Sequence, residues 1–175
     1  AGIVAPTLID KNSKTYPLQG TKQLTPIRAI FALSFINKLF PNNAVSKEYW
    51  LKDESKNKAR EVDVVPGSAF LIKKKIFDEV GGFDENFFLY FEESDLCKRM
   101  KEIGYKIYMI PQSKIIHTWG GTTPKSEKIK EIFMKSRFYY FKKHYGLISA
   151  LLVEGCLRIN KWTLMLVLVL FIATF

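Results

Sequence analysis

The stretch Gly81-Gly82-Phe83-Asp84-Glu85, followed by Tyr90-Phe91-Glu92-Glu93-Ser94-Asp95-Leu96-Cys97-Lys98-Arg99, decides how this chain is read. It combines a Gly-Gly turn, an aromatic run and three carboxylates within four residues, and then becomes helical: Leu96, Met100 and Ile103 share one face and Gly104 stops it. Clustered carboxylates repel one another, and folding rarely needs them. Two readings are open. In the first, Glu92, Glu93 and Asp95 sit in the first turn, where free N–H groups and the positive dipole end favour negative charge. Asp95 then pairs with Arg99 four residues on. In the second, one carboxylate beside a cleft is a general base that takes a proton from an attacking hydroxyl, with Phe87 to Phe91 as its apolar wall.

Outward from this stretch, strand and helix signals alternate, which indicates an α/β fold. Gly2 to Ala5 reads as a short buried strand closed by Pro6, and Asp10 to Lys14 as a polar turn. Apolar spacing predicts one helix from Pro26 to Phe40, stopped by Pro41-Asn42-Asn43. Lys47 to Arg60 reads as a mobile loop. Glu61 to Val65 and Ala69 to Ile72 read as strands on either side of Pro66-Gly67-Ser68, and Ile76 to Val80 as a helical turn ended by Gly81. Lys106 to Ile110 and Lys114 to His117 read as two strands separated by Pro111. Lys125 to Tyr145 is an amphipathic, basic helix ending at Gly146.

At 175 residues and 47% hydrophobic content, the chain suffices for one domain with a sizeable core. Its net charge of +10 points to an anionic partner: nucleic acid, a phosphorylated substrate or an acidic membrane surface. No RNP-like aromatic motif, P-loop, G-x-G-x-x-G or Ser-His-Asp order is present, so the charge carries no nucleic-acid cue. Cys97 and Cys156 form no C-x-x-C pair and read as free thiols in a reducing compartment.

Two further segments carry candidate chemistry. His117 ends an apolar strand and precedes Thr118-Trp119-Gly120-Gly121; it is either a hydrogen-bonded structural residue or a metal ligand. Pro66-Gly67-Ser68 is either a plain turn or a small-residue edge that admits a sugar or phosphate. The end of the chain, Trp162 to Phe175, is almost uninterruptedly apolar, and its 14 residues fall short of the roughly 20 that cross a bilayer. With no initiating methionine and an apolar run at its last residue, the sequence reads as a fragment.

Taken together, Val65-Pro66-Gly67-Ser68-Ala69-Phe70-Leu71-Ile72, Val80 to Phe88, Phe91 to Arg99 and Ile115-Ile116-His117 resemble the second half of a bacterial family 2 glycosyltransferase, nearest the rhamnosyltransferase-like enzymes of cell-surface polysaccharide synthesis. The resemblance runs from Gly2 to about Gly146. It implies a partial A-type glycosyltransferase fold, the nucleotide-diphospho-sugar transferase α/β sandwich, followed by amphipathic and apolar helices. Residues 1–146 would be the acceptor-side, catalytic half and residues 147–175 a membrane-associated helical segment. The family's Glu/Asp-Asp-x-Asp pattern falls on Glu92-Glu93-Ser94-Asp95 and makes Glu93 the catalytic base of an inverting transfer. Gly67, Ser68, Glu92, Asp95, Arg99 and Trp119 are then substrate-side residues, and His117 a metal or diphosphate ligand. The implied cofactor is Mg²⁺ or Mn²⁺, held mainly by an Asp-x-Asp motif that should precede Ala1. The implied partners are a nucleotide-diphosphate sugar donor, a glycan or lipid-linked acceptor and the cytoplasmic face of the cell membrane, and not nucleic acid. Without the donor half the fragment is expected to be inactive. The competing class is a non-catalytic module that binds a glycan or partner at the membrane.

Overall fold

The computed structural model describes residues 1–118, 120 and 126–159. Their order is β1 (Ile3–Ile9), α1 (Pro26–Leu33), α2 (Phe35–Leu39), α3 (Ala44–Tyr49), β2 (Arg60–Val62), β3 (Leu71–Ile72), α4 (Lys74–Glu79), α5 (Glu92–Glu102), β4 (Ile107–Ile116) and α6 (Glu127–Arg158). The strands form one mixed sheet in the order β2-β4-β1-β3. β1 and β4 run parallel at its centre, and β2 and β3 pair antiparallel outside them. Parallel neighbours need a long crossover, and the helices α1 to α5 lie within it. The mixed α/β architecture agrees with a partial glycosyltransferase-like fold.

Several elements differ from the sequence expectation for identifiable reasons. β1 continues through Pro6 to Ile9, and β4 is one strand through Pro111. Both prolines lie where the pairing slips: Pro6 matches Ile110 but Thr7 matches Lys114, so residues 111–113 loop out. A residue without an N–H is tolerated at such a bulge. The helix expected from Pro26 to Phe40 is broken at Ser34, whose backbone is extended. Its hydroxyl donates to the Ile30 carbonyl and accepts from the Ile36 N–H, so it ends α1 and caps α2. The expected loop from Lys47 begins inside α3, capped by Asn43 Oδ1 at 2.8 Å from Ser46 N, and its Tyr49 and Leu51 are buried.

Two apolar cores result. One lies under the sheet, where Ile3, Ala5, Val62, Ile107 and Met109 meet Leu96, Cys97 and Met100 of α5. The other joins Leu24, Ala29 and Ala32 to Phe87, Phe91, Tyr140, Phe141, Ala150 and Val153. Phe91 belongs to the second core and Leu96 to the first, so the start of α5 occupies the seam between them.

α6 is not straight. Gly146 takes φ 83°, ψ 166°, a conformation only glycine adopts freely, and interrupts the helix at the predicted position. Arg137 holds Glu154 with two bonds, at 2.6 and 2.9 Å. An unbroken helix would separate those residues by about 25 Å, so the chain doubles back at Gly146. Ala150 and Val153 thereby reach the second core. Among the described residues no helix is long and apolar enough to cross a membrane; Trp162 to Phe175 lies outside them.

Candidate active site

The first turn of α5 is entered through two left-handed residues, Tyr90 (φ 68°) and Phe91 (φ 70°). Each costs roughly 1–2 kcal/mol in a non-glycine residue. Aromatic packing holds them: Tyr90 meets Phe133 edge-on at 5.2 Å, and Phe91 lies 5.5 Å from both Phe133 and Tyr140. Ser136 adds a hydroxyl bond of 2.7 Å to the Leu89 carbonyl. No side chain of the preceding residue caps the helix. Instead the Glu93 carboxylate accepts from the Ser94 hydroxyl at 3.3 Å, and the nearby backbone N–H groups of Glu93 and Ser94 add to those interactions.

Those bonds favour the charged form, yet burial outweighs them. Burial first, and then the negative charge of Glu92, push the Glu93 carboxyl from its ordinary 4.5 up to about 7. Such a group takes and releases a proton near neutrality. Glu93 lines a cleft of about 170 Å³ with Tyr16, Gln19, Leu24, Tyr49 and Pro66. That is smaller than the 300–1,000 Å³ of typical ligand pockets, room for one sugar ring but not a nucleotide sugar. Glu92 Oε2 is buried with no hydrogen-bond partner among the described residues.

Gly67 and Ser68 connect the two halves of the expected site. A Cβ on Gly67 would stand 3.4–3.5 Å from Glu93 Cβ, Cγ and Oε2, so the glycine keeps that face of the carboxylate uncovered. Ser68 Oγ lies 3.4 Å from His117 Nε2. His117 is fixed by its N–H on the Ile9 carbonyl (2.9 Å) and by its own carbonyl, which accepts from Tyr16 OH at 2.8 Å. Gly67, Ser68, Glu93 and His117 are therefore neighbours along one rim. Trp119 lies outside the described residues.

Asp95 and Arg99 are turned away from this rim. Asp95 is fully buried and receives three cationic or potentially cationic groups. Arg99 Nε lies at 2.8 Å, Lys143 Nζ at 2.6 Å and His144 Nε2 at 2.8 Å. Burial alone would raise its pKa, but the bonds from His144, Lys143 and Arg99 together hold it below the usual carboxylate value. Arg99 also donates to the carbonyls of Val80 (2.6 Å) and Gly82 (2.7 Å). Lys143 reaches Asp84 at 2.7 Å as well, and Tyr139 OH donates to the same oxygen. The pair therefore fixes the Gly81-Gly82-Phe83-Asp84 turn and α6 against α5. Asp95 is wholly enclosed by these contacts, whereas the Arg99 side chain remains 20% exposed.

Sequence reasoning missed Tyr16, Gln19 and Tyr49. Tyr49 closes the cleft, and burial pushes its hydroxyl up to about 12. Gln19 makes a two-way bond with the Leu8 backbone, 2.7 and 2.8 Å, in place of a strand neighbour. Tyr16 and Gln19 lie outside any helix or strand, and Tyr49 ends α3 in a stretch whose sequence reads as a loop, so no local signal marked the three.

The described residues do not form a metal site by themselves. No group of three or more His, Cys, Asp or Glu side chains converges among them. His117 beside a serine hydroxyl is a poor donor set for Mg²⁺ or Mn²⁺, which prefer carboxylate oxygens.

Comparison with known proteins gives the chain distant relatives. No family model matches it. An N-acetylglucosaminyl-diphospho-decaprenol L-rhamnosyltransferase of Mycobacterium tuberculosis is 26% identical over 117 residues, 67% of this chain and 37% of that protein. Rhamnosyltransferase WbbL of Escherichia coli is 38% identical over 56 residues, 32% of this chain and 21% of the relative. A low-salt glycan biosynthesis hexosyltransferase, Agl10 of Haloferax volcanii, is 26% identical over 78 residues, 45% and 25% of the two chains. The chain thus spans little more than a third of the first relative, and it is a distant homologue of glycosyltransferases over part of its length.

Proposed function

We propose that this chain carries the acceptor-side half of an inverting, family 2 type glycosyltransferase of the rhamnosyltransferase-like subgroup, with Glu93 as the base. The observation that carries the reading is the Glu93 carboxyl, raised to about 7 and set in a cleft of one-sugar size against Gly67. In the proposed reaction Glu93 takes the proton of an acceptor hydroxyl. The oxygen then attacks the anomeric carbon of a nucleotide-diphosphate sugar, and the bond from that carbon to the diphosphate breaks with inversion. Ser68 and His117, on the same rim, face the sugar or diphosphate. Burial first, and then the charge of Glu92, keep Glu93 protonatable at neutral pH. Asp95 and Arg99 hold the helix that carries both.

The acceptor class follows the M. tuberculosis relative, whose name specifies a sugar joined through diphosphate to a polyprenol; a growing glycan on a lipid carrier is the proposed acceptor here. A cytoplasmic-face membrane location is part of the same proposal. It is supported by the +10 charge and by Leu147, Ile148, Leu151 and Leu152, all more than half exposed on the second limb of α6. The divalent ion of the proposed reaction would be held mainly by carboxylates beyond the described residues, with His117 as a single added ligand. Donor-binding residues are likewise proposed to lie outside these 175 residues, so that this chain alone transfers no sugar; measurable transfer by it would refute that.

The test is Glu93→Gln in the full-length protein, assayed with a panel of nucleotide sugars. Turnover should fall at least 100-fold, and wild-type turnover should decline as pH drops through about 7. An unchanged turnover number removes Glu93 as the base.

A further inference from the structure

A second pocket of about 450 Å³ adjoins the Glu93 cleft, and the two share Tyr16 and Gln19 as a common wall. Its lining includes Lys56, Arg60 and Lys114 and no carboxylate. Three cations gathered around a cavity repel one another and gain nothing in folding. Arg60 is anchored by Nη2, which donates to the Gln19 carbonyl at 2.6 Å. Its Nη1 is buried and has no hydrogen-bond partner among the described residues. Lys114 makes no ion pair among the described residues, and Lys56 donates only to the Pro17 carbonyl. Glu54 is close enough to act on Arg60 through its charge, but it does not line the pocket. Burial depresses the pKa of Arg60, whose buried Nη1 lacks solvation that an anion would replace.

We infer that this pocket is the subsite for the diphosphate of the acceptor, a sugar joined through diphosphate to a lipid. The inference rests on the glycosyl-transfer reading and deepens it. The guanidinium fork and two lysines suit a diphosphate, which offers several oxygens to share among them. The position follows from substrate geometry. In an acceptor with one sugar between its diphosphate and its reacting hydroxyl, placing that hydroxyl at Glu93 fills the small cleft with the sugar. The diphosphate then falls past Tyr16 and Gln19 into the cationic pocket. Gln112, on the bulge of β4, lines the same cavity and supplies a neutral donor.

The experiment is a titration of the 175-residue chain with inorganic pyrophosphate, followed by calorimetry and ³¹P NMR. Wild type should bind, and the double variant Lys56→Ala/Lys114→Ala should bind at least tenfold more weakly. Both lysines are exposed, so the variant should keep its circular dichroism and thermal midpoint. Failure of wild type to bind, or equal binding by the variant, overturns the inference. Farnesyl diphosphate and uridine diphosphate as competitors separate the two sources of the group. Displacement favouring farnesyl diphosphate supports an acceptor subsite, and displacement favouring uridine diphosphate overturns it. Glu93→Gln should leave pyrophosphate binding unchanged. If that variant also leaves sugar transfer unchanged in the full-length protein, the base assignment fails while the diphosphate pocket stands.

Discussion

Replacing Glu93 with glutamine should make the protein more stable at pH 8 and leave it unchanged at pH 4.5. The native carboxyl titrates near 7 and the unfolded one near 4.5. Between those values the folded chain holds a proton that the unfolded chain has released. Stability therefore falls as pH rises through the window, with no penalty below 4.5 and the full penalty above 7. A shift of that size corresponds to about 3 kcal/mol. Glu93 is only half-buried, and solvent screening lowers the working figure to about 1–2 kcal/mol. Glutamine has the same shape and no charge to desolvate. Urea unfolding of both proteins at pH 4.5 and pH 8 reads the difference directly. The variant should gain about 1–2 kcal/mol at pH 8, or roughly 2–8 °C in midpoint, and nothing at pH 4.5. A difference independent of pH would mean that Glu93 is solvated and ordinary, and the case for a base poised near neutrality would collapse with it.

Three other outcomes follow from the packing. Asp95→Asn strands Arg99, Lys143 and His144 around a neutral group and should cost about 3 kcal/mol at pH 7 by chemical denaturation. Because the Asp95 pKa is depressed, that contribution is present above the unfolded value of 3.8 and disappears as pH falls below it, so the two proteins should converge in acid. Gly146→Ala meets no steric clash but forces a side chain into a glycine-only conformation; about 1–3 kcal/mol should be lost in thermal melts, and no loss would mean that the helix does not turn back there. Burial pushes the Cys97 thiol up to about 12, so a thiol reagent at pH 8 should label Cys156 in the native protein and both cysteines only after unfolding.

What the sequence revealed, and what it concealed, divides along the distance over which each interaction acts. α5 was legible because its signals are local: acids at the start, Leu96 and Met100 one turn apart, and Gly104 just beyond the end. Gly146 announced the break in α6 in the same way. The Pro26–Phe40 segment was misread because apolar spacing continues across Ser34, while the deciding bonds are a hydroxyl's to Ile30 and Ile36. Pro111 looked like a strand end because its tolerance depends on a slip against Pro6, far away in sequence. Lys143 and His144 went unmarked within the basic helix expected from Lys125 to Tyr145, although both reach Asp95. No periodicity within a helix records a partner 49 residues earlier.

That separation has a consequence for how the site comes into being. Arg99 follows Asp95 within one helical turn, but the other two partners of that carboxylate, Lys143 and His144, emerge about fifty residues after Glu93. Until they arrive, α5 must either hold a buried carboxylate with Arg99 as its one cationic partner or stay undocked. Tyr90 and Phe91 depend on the same late segment, since Phe133 and Tyr140 hold their left-handed backbone. The sheet can pair once β4 is complete, whereas the base acquires its surroundings only after α6 follows. Order in time along the nascent chain thus runs opposite to order in importance: the residue proposed to do the chemistry is among the last to be set in place.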